Sequence, residues 1–539
     1  MDDALRERLA AARAGRNPYA AFRFAMRDTD VPVTLGDEPA FEPSYPPYPY
    51  QRQAAHLIDN VYLRGQPGNV LVASPTGSGK SFAIQWAARR ALEEGRRLIV
   101  GVPLVALAEQ IYGQLRALVS DMEAVSSEED LPAYGDDDFD AFEEADLCEI
   151  DDDSESPIGI RTGPSEKYPD APVVVCTYEV VVLLLHHSLT LMDESPLIII
   201  DEIHTISDPD RGHVVETLLA DLPNHVSIVG MSGTLPNALE LAEYMGRCNQ
   251  LPTRVIGATK RPISLKFHLH LAYAPRVLHT VREGDDWNEK VWRRCADGPA
   301  LPDQIGTRHR HGLITQLARH MEAERLLPAM CVAFSCRGLD AIARDALGTL
   351  DLLPDKRAKA HVHVAFAKVR RALRRPCGDQ SEEEWTLFAP LLELATRGIG
   401  IHHAQNPKLY LELLPALVRR GRVKLILATS TLSAGIDLPV RTVAFVGGLR
   451  VPHKHGFRCI EPNLFHQICG RAGRPGQETE GHVIVGNWAH ETDLKELIMS
   501  DPKPVRSQYQ LTASLLLRVL ARPPQTVGEG WRAAAPGDG

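Results

Sequence analysis

None of the nine cysteines stands two residues from another, the nearest spacing being Cys331 to Cys336, and no HExxH stretch occurs. Zinc-ribbon, thioredoxin-type and zincin chemistry are therefore excluded, and an odd number of scattered thiols reads as reduced core residues in a reducing compartment. Long apolar runs are also lacking. The longest, near Pro172 to Leu185, is broken by Tyr178 and Glu179, and the opening MDDALRERLAAARAG is charged where a signal peptide would be apolar. A membrane span is excluded and a cytoplasmic setting is expected. Net positive charge is missing as well, at -11, but the deficit is local. Between Asp121 and Pro157 stand 17 acidic and no basic residues, whereas the rest of the chain has 59 basic against 53 acidic. Such an insert repels itself and has little to bury, so it reads as a disordered, solvated loop. The sharper alternative is a polyanion mimic that competes for a basic groove.

What is present is a soluble globular composition, 44% apolar and 24% charged over 539 residues, enough for about three domains. From Asn69 onward, short Val/Ile-rich runs alternate with helical stretches: NVLVAS, RRLIVGVP, PVVVCT, PLIIID and HVSIVGMS. Continuous apolar runs mark strands covered on both faces, the pattern of a parallel sheet in an α/β domain. The same alternation returns at Ala329–Phe334, Gly398–His402, Val423–Ala428, Arg441–Val446 and Gly481–Val485, which predicts a second α/β domain. Segments 271–327 and 348–397 have helical composition and read as helical insertions, and a short helical tail follows Asn487.

SPTGSGKS, Ser74 to Ser81, lies between a strand and a helical run. A glycine-rich turn there points the amides of Thr76, Gly77, Ser78 and Gly79 at phosphate oxygens; Lys80 reaches the β and γ phosphates, and the Ser81 hydroxyl ligates Mg²⁺. Ser74 stands where the pattern usually has glycine. Further on, PLIIIDEIHTI ends a buried strand in Asp201 and Glu202. Two carboxylates at that edge call for a cation: Asp201 would hold the metal through water, and Glu202 would deprotonate the attacking water. His204 is either a core residue or part of the coupling between nucleotide and second domain.

SPTGSGKS, DEIH, SGT and QICGRAGR, in this order, resemble a superfamily 2 DExH-box helicase of the superkiller-like branch, with PLVALAEQ, IHHAQNPK and RPISLKFHL in support. The resemblance implies two tandem recombinase-like P-loop domains, with boundaries expected at 1–45 (extension), 46–260 (ATP-binding), 261–500 (C-terminal) and 501–539 (tail). It implies that Gln51 reads adenine, that Tyr50 or Phe41 either stacks on the base or is core, and that Arg471 and Arg474 are arginine fingers beside a water-placing Gln467. Gly435 and Asp437 would sense nucleotide, and Ser232 and Thr234 would link hydrolysis to domain motion. Pro103, Thr162, Gly163, Thr177 and Thr429 would touch sugar-phosphate backbone, although each hydroxyl can equally serve a turn or cap. The sequence departs from the family at Gly233, Ser430 and Ala404–Gln405. The expected activity is ATP-driven 3′-to-5′ movement on single-stranded RNA or DNA with unwinding or protein displacement, alone or beside partner proteins. The alternative is a nucleotide-gated clamp that hydrolyses ATP without unwinding.

Overall fold

The computed structural model describes residues 48–126, 156–187, 194–233, 235–258, 261, 263–271, 273–297, 307–347, 350–377, 380–403, 405–429, 440–446, 449–453, 456–474, 478–487 and 494–508. Two eight-stranded sheets dominate it, as the α/β reading requires. The first is built from β1 (Asn69–Ala73), β2 (Leu98–Val102), β3 (Ile158–Arg161), β4 (Glu166–Lys167), β5 (Val173–Thr177), β6 (Leu197–Ile200), β7 (Ser227–Ser232) and β8 (Thr253–Ile256). Their order is β4-β3-β5-β2-β6-β7-β1-β8, parallel except for the β3–β4 pair. Each apolar run is buried on both sides because alternate residues feed different helical layers. Val70 and Val72 join Ile58, Phe82 and Trp86 on one face, while Leu71 joins Leu218, Leu241 and Met245 on the other. Each such side chain contributes about 1.5–3 kcal/mol on burial.

The second sheet holds β9 (Ser264–Leu271), β10 (Leu278–Glu283), β11 (Asp286–Trp287), β12 (Ala329–Val332), β13 (Ile399–His402), β14 (Leu425–Ala428), β15 (Thr442–Phe445) and β18 (Glu480–Asn487), in the order β11-β10-β9-β18-β15-β12-β14-β13. A separate ribbon pairs β16 (Arg450–His453) with β17 (Gly456–Cys459). Helices Lys356–Cys377 and Gln380–Thr396 bear out the helical reading of 348–397. The reading of 271–327 needs correction: it holds strands β10 and β11, antiparallel beside β9, before helices Glu289–Ala296 and Thr307–Ala323. β9 buries histidines between its apolar residues, so its SLKFHLHL pattern hid a two-faced strand. The acidic insert also begins later than its charge suggests, because the helix Val105–Ser126 runs into it; residues 127–155 lie outside the described residues, as does the N-terminal extension.

After the helix Leu494–Met499, residues 500–508 run from the second domain back across the first. Asn463 accepts from the Lys503 amide at 2.6 Å and donates to its carbonyl at 3.4 Å. Asn237 does the same for Val505, at 2.9 and 2.8 Å, and Ser207 accepts from the Arg506 amide at 2.6 Å. Val505 itself enters the first domain's core. No helix among the described residues is long and apolar enough to cross a membrane.

Candidate active site between the two sheets

Strand register gathers the chemistry. Ala73 pairs with Ser232 and Ile200 with Gly230, so the glycine-rich turn after β1, the acidic pair after β6 and Ser232 at the end of β7 share one C-terminal sheet edge. Gly77 and Gly79 have φ of +76° and +88°, conformations that glycine takes without strain. Ser81 opens the helix Ser81–Glu93 that the turn feeds. Ser74 has a structural role in place of glycine: its hydroxyl lies 2.8 Å from that of Ser78, and the Tyr50 hydroxyl donates to the Ser78 carbonyl at 2.7 Å. Tyr50 is thus a core prop of the turn and not a base-stacking ring. Phe41 lies outside the described residues. The Gln51 amide is engaged at both ends, accepting from the Tyr48 amide at 2.7 Å and donating to the Gly79 carbonyl at 2.8 Å. Lys80 donates to the carbonyls of Ser74 and Pro75, at 3.0 and 3.3 Å.

Glu202 adopts a left-handed backbone, φ 54° and ψ 42°, a strained choice for a residue with a Cβ, and its amide donates to the Asp201 carboxylate at 2.9 Å. The Tyr178 hydroxyl donates to the Asp201 carbonyl. His204 Nδ1 lies 3.2 Å from the Glu202 carboxylate and 3.3 Å from the Ser232 hydroxyl, so the structure joins these three. Thr234 lies outside the described residues. Burial, then the charge of Glu202, pushes the Asp201 carboxyl up. Burial acts on Glu202 in the same direction, but the His204 hydrogen bond and the charges of His204, Lys80 and Arg471 hold it low. A buried carboxyl whose ionisation is disfavoured until a cation arrives, beside a glycine cradle and the Ser81 hydroxyl, suits a magnesium ion that takes its other ligands from phosphates and water.

The second domain closes this edge. A Cβ on Gly470 would come within 2.5 Å of Thr76 Cβ, so the two domains meet at the tip of the phosphate turn. Arg471 is near enough to bias both Lys80 and Glu202. Arg474 is held by Glu478, which accepts from its amide at 2.7 Å and its Nε at 2.8 Å. Gln467 lies on the helix Pro462–Cys469 that leads into Gly470. Arg261 opens the RPISLKFHL stretch but has no role assigned from sequence, and Glu478 could not be picked out, because a lone charged residue in a polar loop looks like any solvated one.

Next along the same edge lie the expected strand-contacting residues. Val102 pairs with Thr177 and Arg161 with Cys176, which sets Pro103, Thr162 and Thr177 side by side at the ends of β2, β3 and β5. The Thr162 hydroxyl serves its own turn, accepting from the Ser165 amide at 3.1 Å, and Gly163 faces open space. Thr429 follows β14 with its amide on the His402 carbonyl at 3.2 Å. Gly435 and Asp437 lie outside the described residues. Across the domains, Lys408 meets Glu109 at 2.7 Å.

A glycine-rich phosphate turn, an acidic pair on a neighbouring strand and an arginine turn delivered by a second parallel sheet define a P-loop protein of the tandem-domain type. Residues 48–242 match the family described as DEAD/DEAH box helicase. The chain is 28% identical to Superkiller complex protein 2 of Mus musculus over 518 residues, 91% of this chain and 38% of that protein. It is 27% identical to Exosome RNA helicase MTR4 of Homo sapiens over 482 residues, 87% and 42%. Antiviral helicase SKI2 of Saccharomyces cerevisiae is 25% identical over 523 residues, 85% and 37%. The expected superkiller-like kinship holds, and the chain spans about two fifths of these relatives' length.

Proposed function

We propose that this chain hydrolyses ATP to move 3′ to 5′ along single-stranded RNA in the cytoplasm, separating duplexes or displacing bound proteins. The observation that carries the reading is the meeting of Lys80, Asp201, Glu202 and the Arg471 turn in one interdomain cleft. On ATP binding, Lys80 leaves the carbonyls of Ser74 and Pro75 for phosphate oxygens, and the amides of residues 76–79 cradle them. Glu202 orients the attacking water and takes its proton, with His204 holding the carboxylate in place. Arg471 meets the charge that builds on the γ-phosphate, and related arginines contribute about 10³ to 10⁵ in rate. A magnesium ion held by Ser81 and, through water, Asp201 would neutralise phosphate charge. Gln467 and Arg474 are assigned to the same step, Gln51 to the adenine side, and Pro103, Thr162, Gly163, Thr177 and Thr429 to the strand's backbone.

RNA is preferred to DNA because MTR4 is named an RNA helicase, and the words "complex" and "exosome" in the relatives' names support work beside partner proteins. Steady-state hydrolysis without polymer, with single-stranded RNA and with single-stranded DNA tests this, with Glu202→Gln as background. RNA is expected to raise kcat at least about 10-fold, and only duplexes with a 3′ tail are expected to separate. Turnover no faster than the Glu202→Gln variant would sink the reading. Stimulated hydrolysis without strand separation would leave a clamp.

A further inference from the structure

The link between the two sheets puts into the cleft one side chain, the first of the RPISLKFHL stretch, to which no role is assigned above. Arg261 stands between β8 and β9 and belongs to neither sheet. Its Nη2 donates to the carbonyls of Gly470 at 2.8 Å and Ala472 at 2.5 Å, the two peptide oxygens that flank Arg471. The same group lies over the phosphate turn: a Cβ on Gly77 would be 3.0 Å from Arg261 Nη2 and 2.8 Å from the Gly470 carbonyl. Hydrogen is the only side chain for which position 77 has room. Burial, and then the charge of Arg471, pushes the Arg261 guanidinium down to about 10, and Arg471 and Arg261 both press on Lys80. Lys80, Arg471 and Arg261 thus form a cluster of three cations in the cleft.

The chemistry explains why an arginine stands here. Without it, two carbonyl oxygens would present their negative ends to the place where phosphates bind. A guanidinium cancels that field, and its Nη2, the one nitrogen that reaches both oxygens, ties together the peptide turn from which Arg471 projects; a lysine ammonium, on a shorter stem and more strongly hydrated, replaces it less well.

We propose that Arg261 is a positioning residue of the ATP site: it clamps the Gly470–Ala472 turn so that Arg471 is aimed at the nucleotide, and its place on the interdomain link ties that aim to the setting of the two domains. The inference rests on the ATPase reading above, and two measurements keep the failures apart.

The first needs no nucleotide. In Arg261→Gln, amide hydrogen exchange at 470–473 is expected to quicken at least about 10-fold, although these amides keep their acceptors His466, Ile468, Cys469 and Val440. Unchanged exchange there overturns the clamp whether or not the protein hydrolyses ATP. The second is a double-mutant cycle on RNA-stimulated kcat with Arg471→Ala. Arg261→Gln is expected to lower kcat about 10-fold or more with the KM for ATP changed less than about twofold, and the double variant to be no slower than Arg471→Ala alone. Losses that multiply, a loss confined to KM, or full activity in Arg261→Lys would overturn it. A wild-type protein without turnover would remove the ATPase reading and leave the exchange result to decide the clamp.

Discussion

Ser74 replaces a glycine, and the hydroxyl it brings is the partner of Ser78 in a buried chain that ends on Tyr50. Removing it leaves one buried hydroxyl short of a partner and loosens the backbone, at a cost of about 1–2 kcal/mol. Ser74→Gly should therefore unfold at lower urea concentration while kcat stays within about twofold of wild type; unchanged stability would make the contact incidental. Gly470 gives the opposite split. Its missing Cβ is what lets Thr76 approach, so Gly470→Ala should prop the cleft apart and lower kcat by about 100-fold, while a fluorescent ATP analogue still binds the first domain with near-normal affinity. Equal losses of binding and turnover would show that the second domain also holds the ground state. Lys80, Asp201 and Glu202 were legible from sequence because phosphate and metal chemistry permits few residue types at those spacings. Arg261 was not, since its meaning comes from two carbonyls more than 200 residues away.

The parallel strands could be read directly, because a strand covered on both faces is apolar along its length, as LIII is and as VLVA is after the hydrogen-bonded Asn69. β9 and its hairpin partner broke that rule. The cover over β9 is partly imidazole: His268 Nε2 lies 3.1 Å from His482 Nδ1 on β18, and Nδ1 lies 2.9 Å from the Thr280 hydroxyl on β10. Burial holds His268 down to about 3 and His402 down to about 4, from 6.5, and lowers His482 as well. These rings stay neutral in the folded protein while the unfolded chain takes up their protons below pH 6.5. Stability is thus complete above that pH and falls as the pH drops toward 4, by up to about 1.4 kcal/mol per unit for each ring. Thermal melts should be flat from pH 8 to 7 and descend below about 6.5, and His268→Gln should reduce the slope by one proton. A midpoint independent of pH down to 5 would contradict the buried neutral state.

The 500–508 segment adds a second connection between the domains. Asn237 contributes two of its bonds on the first domain, together worth about 1–3 kcal/mol, a shift of about 5- to 150-fold between joined and parted domains. Asn237→Ala should enlarge the radius of gyration of the nucleotide-free protein in X-ray scattering and lower polymer-free hydrolysis; an unchanged profile would mean that Ser207 and the packing of Val505 suffice.

Both connections meet the second domain on one short helix. Arg261 holds the turn just past its C-terminal end, and Asn463, near its start, holds Lys503. These points are only about 10 Å apart along the helix. A body fixed at two points keeps chiefly one freedom, rotation about the line through them, and here that line runs along Pro462–Cys469. Side chains beside such an axle, Gln467 and Arg471 among them, turn in place, while the rim around β13, which the Lys408–Glu109 pair ties to the first domain at rest, swings once that pair parts. The fold is thereby geared: a few degrees at the nucleotide become ångströms at the rim.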